Sequence, residues 1–155
     1  MKVGETERDV LVTEALALAE QLPEGETRRA YQEIAWAAEH GEVPEEWDGT
    51  VGELISLALE TGRARSVHGP AGVRALVALW RDTPQGQATL RSIEDLNEAL
   101  GALRGQQLDG VRVAATGPGV YSITIGAGDY EMRLSIDRSE VRLQSVNVGG
   151  GGIGE

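Results

Sequence analysis

Residues 63–72, RARSVHGPAG, bring two arginines, a serine and a histidine up to a proline able to open a helix, and Arg74 follows one turn later. Guanidinium forks and an imidazole set before the free N–H groups of a helical first turn are the groups that hold a phosphate or a carboxylate. Arg63, Arg65, His68 and Arg74 are therefore candidates for an anion-binding site, taking a small anion or an acidic patch on a partner. The competing expectation is internal: these cations pair with surplus acids of the chain itself, chiefly those of its first 60 residues. It is the preferred one, because the glycine pattern lacks the lysine of a phosphate-binding loop.

Other groupings carry less. Ser66 and His68 are two residues apart with no nucleophile-elbow glycines around the serine, which does not make a hydrolase pair. His40 lies at the expected end of a helix beside Glu39 and Glu42, where an imidazole serves the last carbonyls; a metal would need ligands from elsewhere. Glu45 and Glu46 resemble a glycosidase dyad only as any acid pair does in a chain with 25 acids. The glycines of IGAGD, residues 125–129, follow a strand but precede another strand, which fits a hairpin turn and not a dinucleotide loop. No catalytic residue, metal ligand or cofactor is expected.

Charge narrows the function further. The chain has 155 residues, a net charge of −11, no cysteine and no phenylalanine. Phosphate backbones and anionic membranes demand Lys and Arg, so neither nucleic acid nor a membrane surface is an expected partner. Absence of cysteine excludes disulfides and thiolate sites and suits a reducing, cytoplasmic setting. The charge is also uneven: residues 1–60 carry 15 acidic and 4 basic side chains, residues 61–91 one acidic and five basic. The opening stretch begins the only basic block.

Five helices are expected to position these residues. Thr6 is the expected N-cap of the first, with Leu11, Ala15, Leu18 and Leu22 on one face before Pro23. Tyr31, Ile34, Ala35 and Ala38 mark the second, closed by Gly41. Thr50 with Glu53 reads as a capping box for the third, which Gly62 ends. Pro70 opens the fourth, with Val73, Leu76, Val77 and Trp80 inward, and Thr83 before Pro84 caps a fifth whose seam is Ile93, Leu96, Leu100 and Leu103.

From Val111 the apolar period changes from 3.6 to 2. Four short strands separated by PG, GAG and DRS turns predict an antiparallel meander. Val111, Val113 and Ala115, then Tyr121, Ile123 and Ile125, then Tyr130, Met132, Leu134 and Ile136, then Val141 and Leu143 share one face. Arg112, Thr124, Glu131, Arg133, Arg142 and Gln144 share the other, where cross-strand ion pairs are expected, and the alternation breaks at Ser145 and Val146, predicting a bulge or a strand end. Gly149 and Gly150 after the last strand resemble the Gly-Gly of ubiquitin-like proteins, but those place the helix between hairpins, whereas here it precedes all four strands.

The expected fold is α+β: about five N-terminal helices, then a four-stranded antiparallel β-meander packed on the last helix. Residues 1–83 form a helical region, 84–148 a helix plus meander, and 149–155 a glycine-rich flexible tail. The expected function is a non-catalytic, acidic protein–protein interaction protein: an adaptor, assembly factor or regulatory subunit. The alternative is a small inhibitor or immunity-type protein masking a basic enzyme site. Its partner is another protein, basic in character, and uncovered strand edges predict a homodimer.

Overall fold

In a computed structural model, which describes residues 1–137 and 140–149, five helices precede a four-stranded sheet. The helices are α1 (Glu5–Gln21), α2 (Glu26–Glu39), α3 (Asp48–Glu60), α4 (Arg63–Asp82) and α5 (Pro84–Gly101). The strands β1 (Leu108–Gly117), β2 (Val120–Ala127), β3 (Tyr130–Ile136) and β4 (Val141–Val148) pair antiparallel in chain order. The layout is the expected α+β meander. The chain divides into two compact units, Met1–Ala88 and Thr89–Glu155, parted within α5. The glycine tail, from Gly150 onward, lies outside the described residues. No helix among them is long and apolar enough to cross a membrane.

The helical unit closes on Leu11, Ile34, Ile55 and Leu76, all fully buried, with alanines filling most of the remaining core. Small side chains let helices approach closely. Gly52 on α3 shows how closely: a Cβ there would meet Gln85 Oε1 at 2.9 Å and Thr83 Oγ1 at 3.3 Å. Thr83 itself is wholly buried and caps α5, donating to the Trp80 carbonyl (2.7 Å) and accepting from Gly86 N–H (3.2 Å). Gly86 must remain without a side chain, since its Cβ would lie 1.9 Å from the Trp80 oxygen.

Other caps differ from expectation. α1 begins at Glu5 with Gly4 as N-cap, so Thr6 lies inside its first turn. A single 3₁₀ turn, Glu45–Trp47, runs directly into α3, which leaves Thr50 inside the helix with no capping bond. Gly4 enters α1 from extended backbone, whereas the chain enters α3 already turning, and in both helices the threonine lies past the capping position. Arg63–His68 is helical too, forming the first part of α4 before a break at Gly69 (φ 64°, ψ −167°); Pro70 starts the second part as expected. α4 buries Ala75, Leu76 and Leu79, with Val73 and Trp80 packed beside them; Val77 falls outside that stripe.

In the sheet unit α5 lies on the apolar face. Leu96, Met132 and Leu134 are buried, and Leu100, Leu103, Ile123, Ile125, Val141 and Leu143 pack around them, while Ile93 is left exposed. Full burial of a side chain such as Met132 is worth about 1.5–3 kcal/mol. Opposite Arg133 and Leu134, β4 supplies Ser145 and Leu143, so Gln144 is the extra residue of a bulge. This keeps Val146, opposite Met132, on the apolar face. The polar face lacks the expected cross-strand ion pairs among its described residues: Arg112 and Arg133 both stand opposite Thr124, Glu131 stands opposite Gly126 and Asn147, and Arg142 pairs instead with Glu140, two residues back. The register brings no acid across from an arginine.

Folding perturbs the ionisation of Tyr31. Burial, and then the nearby Glu53 carboxylate, raise its phenol above the ordinary 10.0. The unfolded chain therefore loses this proton first as pH rises, so stability is fully present below 10 and declines as pH climbs towards the raised folded value. Denaturant midpoints measured across that alkaline range should fall for the wild type and fall less for Tyr31→Phe.

Candidate functional site

One charged side chain sits in the apolar stripe of α1. Val10, Leu11, Glu14, Ala15 and Ala19 are the buried residues of that helix, and Glu14 is only 2% exposed. A carboxylate removed from water costs several kcal/mol unless charge and hydrogen bonds replace what it lost. Both are supplied from the first part of α4. Arg63 Nε donates to Glu14 Oε2 at 2.8 Å, and His68 Nε2 donates to Oε1 at 2.7 Å. Each carboxylate oxygen thus has its own donor.

Three glycines make this geometry possible. Gly62, in the left-handed region at φ 74°, turns the chain out of α3 so that Arg63 starts a new helix immediately. Gly69 ends that segment directly after His68. Gly72 gives the imidazole its seat: a Cβ there would stand 2.0 Å from His68 Cβ and 3.6 Å from Val10 Cγ2. An alanine at 72 would have to push the ring off Glu14.

Of the four sequence candidates, Arg63 and His68 converge, and they converge on Glu14. Arg65 and Arg74 are exposed and have no ion-pair partner among the described residues. Ser66 does not meet His68; its hydroxyl donates to the Arg63 carbonyl at 3.0 Å. His40 behaves as a helix-end histidine, its Nδ1 donating to the Trp36 carbonyl at 2.7 Å with the rings 4.1 Å apart. Among the described residues no group of three or more His, Cys, Asp or Glu is placed to hold a metal. Glu14 was the residue missing from the sequence candidates. Its signal is a glutamate at an inward position of a stripe, which predicts a buried cation partner somewhere in the chain.

The cluster borders a pocket of about 230 Å³ between α1 and α3. α1 contributes Glu14, Leu18 and Gln21, α3 and its cap contribute Leu54, Leu57, Ala58 and Thr61, and Arg63 completes the wall.

A second surface belongs to the sheet unit. Nine of the ten residues of β1 are exposed. Its apolar face is uncovered, with Leu108 at 56%, Val111 at 57% and Val113 at 62% exposure, and Tyr121 beside them on β2 at 47%. Among the described residues only β2 pairs with it, which leaves the N–H and C=O groups of its outer edge without a strand partner there. On the polar face, small residues of β1 and β2 floor a groove of about 600 Å³ walled by Arg112, Arg133, Glu131 and Gln144.

Comparison of the chain with protein-family models, curated proteins and solved structures finds no match in any of the three.

The ion cluster predicts unequal arginines. Arg63→Ala leaves a buried carboxylate short of one partner and should cost about 1–3 kcal/mol, held down because the Arg63 side chain is 39% exposed and water can enter. Arg65→Ala should change stability by less than about 0.5 kcal/mol. Urea unfolding of the two variants side by side checks both figures.

Proposed function

We propose that this chain is a non-catalytic protein-interaction protein, an adaptor, assembly factor or regulatory subunit, and that β1 is its recognition strand. The supporting observation is a ten-residue edge strand exposed along nearly its whole length, with Leu108, Val111 and Val113 uncovered on one face and an unpaired backbone edge. Soluble monomers usually blunt such edges with short strands, prolines or inward charges. A partner that adds an extended strand would satisfy the edge through main-chain hydrogen bonds and cover the valines with alternate side chains. A second copy of the chain meets the same requirements, pairing β1 with β1 about a two-fold axis.

Charge sets the preference among other partners. A net charge of −11 favours a basic protein and speeds its encounter. The absence of cysteine suits work in the cytoplasm. The chemistry-bearing side chains support a binding role over catalysis, because the one buried carboxylate among the described residues has both oxygens engaged by its own chain.

Val113→Lys tests the reading, since a lysine at a position already 62% exposed should leave folding nearly unchanged while placing a charge in the middle of the strand. Wild type and variant serve as baits in affinity capture from the native host, with light scattering of each alone. The expected result is a species of twice 16.5 kDa, or specific proteins retained, with the wild type only. A 16.5 kDa species for both, with the same proteins retained by both, would contradict the proposal.

A further inference from the structure

The pocket beside Glu14 is chemically asymmetric. Leu54 and Ala58 form its buried wall, each 2% exposed, and Leu18 and Leu57 extend the apolar lining towards the surface. The Thr61 hydroxyl is turned away onto the Leu57 carbonyl at 2.7 Å. At the other end stands the Arg63 guanidinium, which gives Nε to Glu14 and has no further hydrogen bond or ion pair to a described residue through its two terminal nitrogens. The side-on pairing, through one nitrogen only, leaves the two-pronged outer edge of the fork unspent.

That arrangement selects one kind of ligand. A cation is disfavoured, because the Arg63 guanidinium repels it and both oxygens of Glu14 already accept hydrogen bonds from Arg63 and His68. A neutral apolar molecule would fill the slot but gain nothing from the guanidinium, whose hydrogen bonds to a charged acceptor are about twice as strong as neutral ones. The volume of about 230 Å³ has room for about eight water-sized groups. We propose that this pocket binds an aliphatic carboxylate of medium chain length, its head on the terminal nitrogens of Arg63 and its tail among Leu18, Leu54, Leu57 and Ala58. Glu14 then has a second role as a positioning residue, since it holds the guanidinium at the end of the slot instead of letting it swing into solvent.

Calorimetric titration of the full chain with four probes tests this: octanoate, 1-octanol, octylamine and acetate. The expected result is saturable one-site binding of octanoate, at least tenfold weaker binding of octanol, and no binding of octylamine or acetate. Arg63→Gln should bring octanoate down to the level of octanol. Because that change also disturbs Glu14, Leu57→Asp, at a position 47% exposed, provides an independent variant that keeps the cluster; it should weaken octanoate at least tenfold while the melting temperature stays near wild type. Octanoate binding no tighter than octanol, or binding unaltered in Leu57→Asp, would overturn the proposal.

Discussion

A buried carboxylate cannot be left uncompensated, and the helical unit is built around meeting that demand at Glu14. Its place in the buried stripe of α1, with Val10, Leu11, Ala15 and Ala19, takes it almost wholly out of water once the core closes. α4 must therefore start where Arg63 and His68 can both reach, and the path that allows it is unusual: a left-handed glycine, six helical residues, a second left-handed glycine, a proline, and a helix resumed beneath the imidazole at Gly72. The basic block has an internal purpose first. Any ligand that uses Arg63 does so from a guanidinium already fixed by Glu14.

The sheet unit is governed by a different shortage. Four strands offer an apolar face, and one helix covers only part of it. α5 places Leu96 and Leu100, and the turn after it Leu103, over Met132 and Leu134, and the remainder of the face, at β1 and at the far end of β4, meets solvent. The bulge at Gln144 preserves the apolar face where the sequence alternation fails, so Val146 and Val148 add to the uncovered surface. Natural proteins commonly blunt exposed sheet edges with charge or short strands. The retention of this face beside a free backbone edge is the reason for reading β1 as a recognition element.

The meander, its inward face and the cover by α5 were legible because strand and helix periods are long-range patterns that single residues cannot disguise. Thr83 was legible as a cap because Pro84 fixes the helix start behind it. Thr6 and Thr50 misled because capping residues are common and only the backbone path decides which of them meets a free N–H. Arg63–His68 read as a loop because Gly62, Gly69 and Pro70 break any periodicity within six residues. Glu14 was the least legible of all: a glutamate in a chain with 25 acids attracts no notice until its neighbours in the stripe prove buried. The expectation that the basic block pairs with acids of the first 60 residues holds for Arg63 and His68, which meet Glu14 in a buried cluster, and not for Arg65 or Arg74, which have no ion-pair partner among the described residues.

A double-mutant cycle on Glu14 and Arg63 addresses the central claim most directly, using Glu14→Leu and Arg63→Met singly and together, with denaturant unfolding as the readout. If the arginine exists to neutralise the buried carboxylate, Arg63→Met destabilises the wild type by about 1–3 kcal/mol and the Glu14→Leu background hardly at all. The two changes are then strongly coupled. Additivity within about 0.5 kcal/mol would contradict the account, showing that Arg63 and Glu14 are neighbours whose energies do not depend on each other.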